Sequence, residues 1–232
     1  MILALFSTGC SNIDPEILDI VLGVPTDDDA PLDEATVSRG LREALRIGTE
    51  RAVDRTSRVD GFLGDALLRI TLPEEFEDAA STLRRIGFAR QVDELEVAMN
   101  RAAEDAAGEA REIFVDAITS ITIADAFGIL RGNDTAATTY LRDRTSDRLR
   151  ERFQPIIANK MEKVGLYRAY GQLAEVYNAL PGNRRPAVDL EDYLTEHTLD
   201  GLFQALGDEE KRIREEPIAR TTELLRKVFS RV

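Results

Sequence analysis

The stretch of this chain best equipped for chemistry runs from Asp134 to Thr145, Asp-Thr-Ala-Ala-Thr-Thr-Tyr-Leu-Arg-Asp-Arg-Thr. On a helix, Asp134, Thr138 and Arg142 fall four apart on one face, and Thr145 lies three further on. A carboxylate, hydroxyls and a guanidinium spaced this way would form the polar wall of a small pocket between helices. Asp134, Thr138, Tyr140, Arg142 and Thr145 are therefore the candidate ligand-binding residues. Threonine is a mediocre helix former, and Thr135, Thr138, Thr139 and Thr145 crowd this run, so something must compensate. The plainer expectation is structural. Asp134 caps the helix, Thr138 bonds back to the preceding turn, and Tyr140 sets its hydroxyl at the core edge.

Three arginines follow at a spacing of four, Arg144, Arg148 and Arg152. Such a stripe could grip a phosphate or an anionic headgroup. Asp143, Asp147 and Glu151 stand beside it, so an internally paired, solvated face is the expectation. Tyr167, Tyr170 and Tyr177 recur at helical spacing and read as core residues whose hydroxyls reach water.

Familiar catalytic arrangements are missing. There is one histidine, His197, and one cysteine, Cys10. A di-iron bundle needs Glu-x-x-His twice and a zincin needs His-Glu-x-x-His. Neither pattern occurs, so His197 is expected on a helix surface. Asp189, Glu191 and Asp192 lack the glycine and spacing of a calcium loop and read as a helix cap with first-turn dipole partners. No Gly-x-Ser-x-Gly elbow, phosphate loop or dinucleotide fingerprint is present. Paired carboxylates remain conceivable acid–base groups, but with 43 acids in the chain such pairs arise by chance and none is singled out. No catalytic residue, metal ligand or cofactor is assigned.

The elements that must position these residues are helices. In 232 residues, 43% hydrophobic and 31% charged, there is material for a sizeable core. From Asp33 onward the apolar period is helical almost throughout. Asp33 caps a helix to about Arg55 with Leu41, Ala44, Leu45, Gly48 and Ala52 on one face. A glycine-punctuated loop covers Val59–Asp65. Leu68–Leu72 alternates like a strand but has no partner strand, so an extended loop is expected. Pro73 opens a helix ending near Gly87, residues 88–107 form another, and Ile113–Ile118 mark the next. Thr122 and Asp125 form a capping box for a helix stopping at Gly132. Asp134 caps the following one. Thr145 opens a longer helix to Gly165, kinked at Pro155. A tyrosine-lined helix ends at the Pro181–Pro186 loop, Asp189 starts the next, and Pro217 opens the last. Gly201, inside a helical pattern, marks a close helix approach. The expected fold is all-α, a single compact domain of about ten helices over residues 33–232 with little or no sheet.

The ends and the charge bear on location. Met1–Cys10 reads as a remnant signal peptide, an apolar run leading through Thr8 and Gly9 to a cysteine placed for lipidation. No base precedes that run, and Ser7 stands where such a leader normally has Leu. Residues 11–32 hold six acids and no base and read as a flexible tether. A formal charge of -13 argues against nucleic acid and against an anionic lipid surface. Membrane contact is expected only through a lipid on Cys10.

The string Gly132-Asn-Asp-Thr-Ala-Ala-Thr-Thr-Tyr140, followed by Thr145 and Phe153-Gln-Pro155, resembles the bacterial domain-of-unknown-function family numbered 4197. So do Asp60-Gly-Phe-Leu63 with Arg69-Ile-Thr-Leu-Pro73, and Leu199-Asp-Gly-Leu-Phe203 with Glu209–Ile213 and Arg220–Phe229. The likeness runs in order from about Asp33 to Phe229. It implies an envelope protein, often lipoprotein-like, in the periplasm or anchored to a membrane, and it carries no activity or catalytic residue. The functional expectation is a non-catalytic binding module tethered by Cys10, whose partner is a protein or an envelope component. The alternatives are a small-molecule or lipid carrier with a pocket near Thr138, and a hydrolase of unfamiliar type using buried carboxylates.

Overall fold

The computed structural model describes residues 33–163, 166–179 and 189–216, with Ala219, Thr222, Leu224, Arg226 and Val228 beyond them. The leader with Cys10, the acidic tether, the Pro181–Pro186 loop and the start of the helix expected at Pro217 lie outside the described residues. Among those described there is no strand, and the fold is all-α. Eight α-helices are bounded among the described residues: α1 (Glu34–Ser57), α2 (Glu77–Leu83), α3 (Ala89–Ala107), α4 (Ala110–Thr119), α5 (Ile123–Leu130), α6 (Ala136–Lys163), α7 (Leu166–Asn178) and α8 (Leu190–Glu215). Six of them are ten residues or longer. A 3-10 turn, Glu74–Phe76, leads into α2, and a wider turn, Arg84–Phe88, joins α2 to α3. Gly87 makes that corner with φ of 100°, a left-handed conformation that glycine adopts without a Cβ penalty.

The centre is built by α8, which packs most heavily on α1 and α6. The apolar stripe expected on α1 is buried throughout, from Leu41 to Ala52. It shares a small recess with Leu206 and Ile213 of α8, which are equally buried. The rings of Phe114 on α4 and Phe203 on α8 meet edge to face at 6.0 Å, a favourable aromatic geometry.

The principal departure from expectation is α6. Residues 136–163 form one helix of 28 residues, with Thr145 in its middle and not at a start. Seven of its eight buried positions, Ala137, Leu141, Thr145, Leu149, Phe153, Ile157 and Met161, fall one every four residues, and Thr138 is the eighth. Four residues overshoot a full turn by about 40°, so this stripe winds around the helix and never builds one apolar face. Winding lets a single helix meet α8, α3, α4, α5 and α7 along its length. It also makes the sequence look like two shorter helices. Thr145, fully buried, satisfies its hydroxyl by donating to the Leu141 carbonyl at 2.7 Å. Pro155 lies within the helix on its exposed side, where water can reach the carbonyl that loses its donor.

Residues Arg69–Pro73 are irregular, as expected without a partner strand. Asn100 of α3 supplies the missing ladder. Its amide donates to the Ile70 carbonyl at 2.7 Å, and its side-chain oxygen accepts the Ile70 N–H at 2.9 Å. Gly201 marks a close approach, but to a loop ring and not to a helix. A Cβ there would stand 2.4 Å from Cε1 of Phe62.

Candidate functional site

The run from Asp134 to Thr145 is held by a residue the sequence does not advertise. The first amides of α6 point at Glu210 of α8. Ala137 N–H donates to one carboxylate oxygen at 3.0 Å, and Thr138 N–H and its hydroxyl donate to the other, each at 2.8 Å. Arg214 closes the arrangement through Nε and Nη2, at 3.0 and 2.9 Å. A carboxylate at a helix N-terminus satisfies orphan donors and meets the positive end of the helix dipole. Glu210 thus replaces the expected cap. Asp134 is exposed and precedes the helix, and Asn133 takes the Thr135 N–H at 3.2 Å. Thr138 does not bond back to its own preceding turn; it bonds across to α8.

The other candidates diverge from Thr138. Tyr140 reaches Asp125 at 3.4 Å. Burial raises the Tyr140 phenol, while the Thr122 N–H and hydroxyl hold the Asp125 carboxyl low. Thr122 and Asp125 form the expected capping box of α5. Arg142 pairs with Asp200 at 2.8 Å, and its guanidinium lies 4.5 Å from the centre of the Phe203 ring. Thr145 is consumed by Leu141. Beside Thr138 lies a recess lined by Leu41, Leu45, Leu206 and Ile213, with room of about 20 Å³. That is space for one water, not for a lipid.

The arginine stripe is paired, with partners across the helix interface. Arg148 meets Asp116 at 2.9 Å and Arg152 meets Glu109 at 2.6 Å. Arg144 lies over the Tyr140 ring. Tyr167 is 40% exposed and bonds Glu191, and burial with that carboxylate raises its phenol. Tyr170 packs on Phe76, 5.3 Å between ring centres. His197 is exposed and stacks on Tyr193 at 3.9 Å. Asp189 caps α8 by accepting the Glu191 and Asp192 N–H groups. Among the described residues no group of three metal-ligating side chains converges.

Among the described residues four glutamates are buried, Glu96, Glu104, Glu209 and Glu210. Each is tied to arginine: Glu96 to Arg69 and Arg84, Glu104 to Arg101, Glu209 to Arg51 and Arg212, Glu210 to Arg214. Glu104 repeats the Glu210 arrangement in a loop. It accepts the Phe62 and Leu63 N–H groups at 3.2 and 3.3 Å and the Arg101 guanidinium at 2.6 Å. Arg101 also reaches Asp60 at 2.7 Å, and Asp60 is left-handed, with φ of 65°. Such a conformation in a non-glycine residue persists when its surroundings over-determine it.

That loop walls a second hollow. It is open to solvent and measures about 450 Å³. Its apolar lining is Val59, Val97 and Ala98, with charges from Glu94, Arg101, Glu104, Asp105 and Lys160. Val59 is 72% exposed and Val97 39%. No sequence signal marked it, because its walls come from the end of α1, the following loop, α3 and α6.

Fold and site together define an all-helical domain whose buried acids serve its architecture. The family model for the protein of unknown function DUF4197 matches residues 31–230, and the chain belongs to that family. No curated protein and no solved structure matches it.

Proposed function

We propose that this chain is a non-catalytic binding module, held in the cell envelope by a lipid on Cys10, with a protein or envelope component as its partner. The observation that carries the binding role is the fate of the buried carboxylates. An acid–base group must be free to exchange a proton with a substrate. Glu104 and Glu210 instead spend their oxygens on backbone N–H groups and arginines. The hydrolase reading needs buried acids that converge in one cleft, and these two lie at different sites on different helices. The carrier reading needs a cavity near Thr138, where the recess admits one water. The open hollow at Val59 and Val97 has the dimensions of a binding site.

The Cys10 tether rests on the leader residues and on the resemblance. The intact mass of the protein extracted from its own cells tests it. The expected result is a chain beginning at Cys10 and carrying a diacyl or triacyl group. An unmodified chain that keeps Met1 would sink the tether and move the search for partners to the cytoplasm.

A further inference from the structure

We propose that the hollow between the 58–65 loop and α3 docks a short basic segment of a protein partner. An aliphatic side chain seats on Val59 and Val97, and a lysine or arginine faces Glu94. This deepens the binding-module reading and rests on it.

Three features point to this occupant. First, the apolar contact is exposed yet fixed. Phe62 is fully buried, Glu104 holds its N–H, and Arg101 ties Asp60 to Glu104. A wall ordered in advance costs a partner little conformational entropy on binding. Second, the volume of about 450 Å³ suits a few side chains. Third, the charge is complementary to a base. Arg101 is neutralised by two acids, Asp60 and Glu104, and Lys160 by Asp105. Glu94 meets Arg90 at 3.2 Å, but that arginine is 84% exposed, and an ion pair in water is weak. The hollow therefore carries surplus negative charge on a chain of net charge -13, which favours encounter with a cation.

The experiment uses the full chain and a short fluorescein-labelled peptide in which leucine and arginine alternate. Fluorescence anisotropy reads the affinity. Val59→Ser and Val97→Ser remove the apolar seat, and each is expected to weaken binding roughly tenfold. Glu94→Gln is expected to weaken it about two- to fivefold. Glu215→Gln, an exposed acid on α8, should leave it unchanged. A peptide with serine replacing leucine should bind no better than the Val variants bind the parent. Melting temperatures verify that the variants fold, as expected for exposed positions.

Equal weakening by Glu94→Gln and Glu215→Gln, with the valine variants unaffected, would mean general attraction to an acidic surface and would overturn the proposal. So would no binding of the parent peptide. Failure here with acylated Cys10 intact would remove the basic occupant and leave the tethered module standing. Peptide binding on a chain with unmodified Cys10 would do the reverse.

Discussion

Glu210 and Glu104 bring one chemistry into two settings. Each is a buried carboxylate that accepts two backbone N–H groups and an arginine. At Glu210 the donors belong to the first turn of α6, and the space beside them closes to a recess of about 20 Å³. At Glu104 the donors belong to a loop, and the space beside it opens into a hollow of about 450 Å³. The first carboxylate starts a helix. The second holds a non-helical wall in a conformation that the chain would not keep alone. The difference teaches that a buried charge does not by itself mark a reactive centre. What matters is whether it borders enclosed core or accessible space.

The sharpest way to break this comparison is to remove Glu210. Glu210→Ala strands the Ala137 and Thr138 amides and the Arg214 guanidinium. Removing one partner of a buried ion pair costs about 3–5 kcal/mol, and denaturant unfolding should report a loss of that size. A loss below about 1 kcal/mol would mean that water caps α6 equally well. Next comes Gly201→Ala. Its Cβ would overlap the Phe62 ring, and overpacking of this kind costs about 1–3 kcal/mol. Because Phe62 anchors the wall of the hollow, this variant should also weaken the basic peptide, whereas Glu210→Ala should not. Thr138→Val is expected to lose about 1 kcal/mol, the worth of one hydrogen bond. An unchanged melting temperature would remove the Thr138 hydroxyl from the Glu210 network and leave its N–H there.

How much of this was legible in the sequence depended on the distance between partners. The Thr122–Asp125 box and the Asp189 cap were readable because donor and acceptor sit within a few residues. The α1 stripe was readable because its buried positions, Leu41, Ala44, Leu45, Gly48 and Ala52, recur at spacings of three and four along one side of the helix. The Glu210 cap was not, since 72 residues separate it from Thr138 and a glutamate followed by more charges looks like a solvated surface. The length of α6 was hidden by its winding stripe, and counting it as two helices accounts for one of the ten expected. The candidate site fared similarly. Thr138 and Tyr140 stand two apart and face different neighbours, Glu210 and Asp125, so no single pocket joins them. The hollow had no local signature, because its walls converge only after folding.

A pH-dependent effect separates the wall of the hollow from the α6 cap. Asp65 bonds Arg55 at 2.7 Å, and that guanidinium holds its carboxyl below the usual carboxylate range. A group depressed in the folded state adds stability above its unfolded pKa and loses it as pH falls through the folded one. Asp65→Asn should therefore lower the melting temperature modestly at neutral pH, and the gap to wild type should close below about pH 4. A gap that persists in acid would assign the effect to the Leu67 N–H that Asp65 accepts at 3.0 Å, and not to its charge.

The smallest effect is expected at Tyr140, and it bears on whether the Asp134–Thr145 run holds a ligand at all. The Tyr140 hydroxyl meets Asp125 at 3.4 Å, long for a bond between oxygens, and Asp125 already has the Thr122 N–H and hydroxyl at 3.0 and 2.7 Å. Tyr140→Phe should therefore shift stability by no more than about 0.5 kcal/mol. It keeps the ring beneath Arg144, so that contact survives. If stability holds and any bound small molecule is lost, the hydroxyl serves a ligand and the run is a site. If neither changes, Thr138 and Tyr140 are parts of two separate helix starts, and the search for a partner belongs at Val59 and Val97.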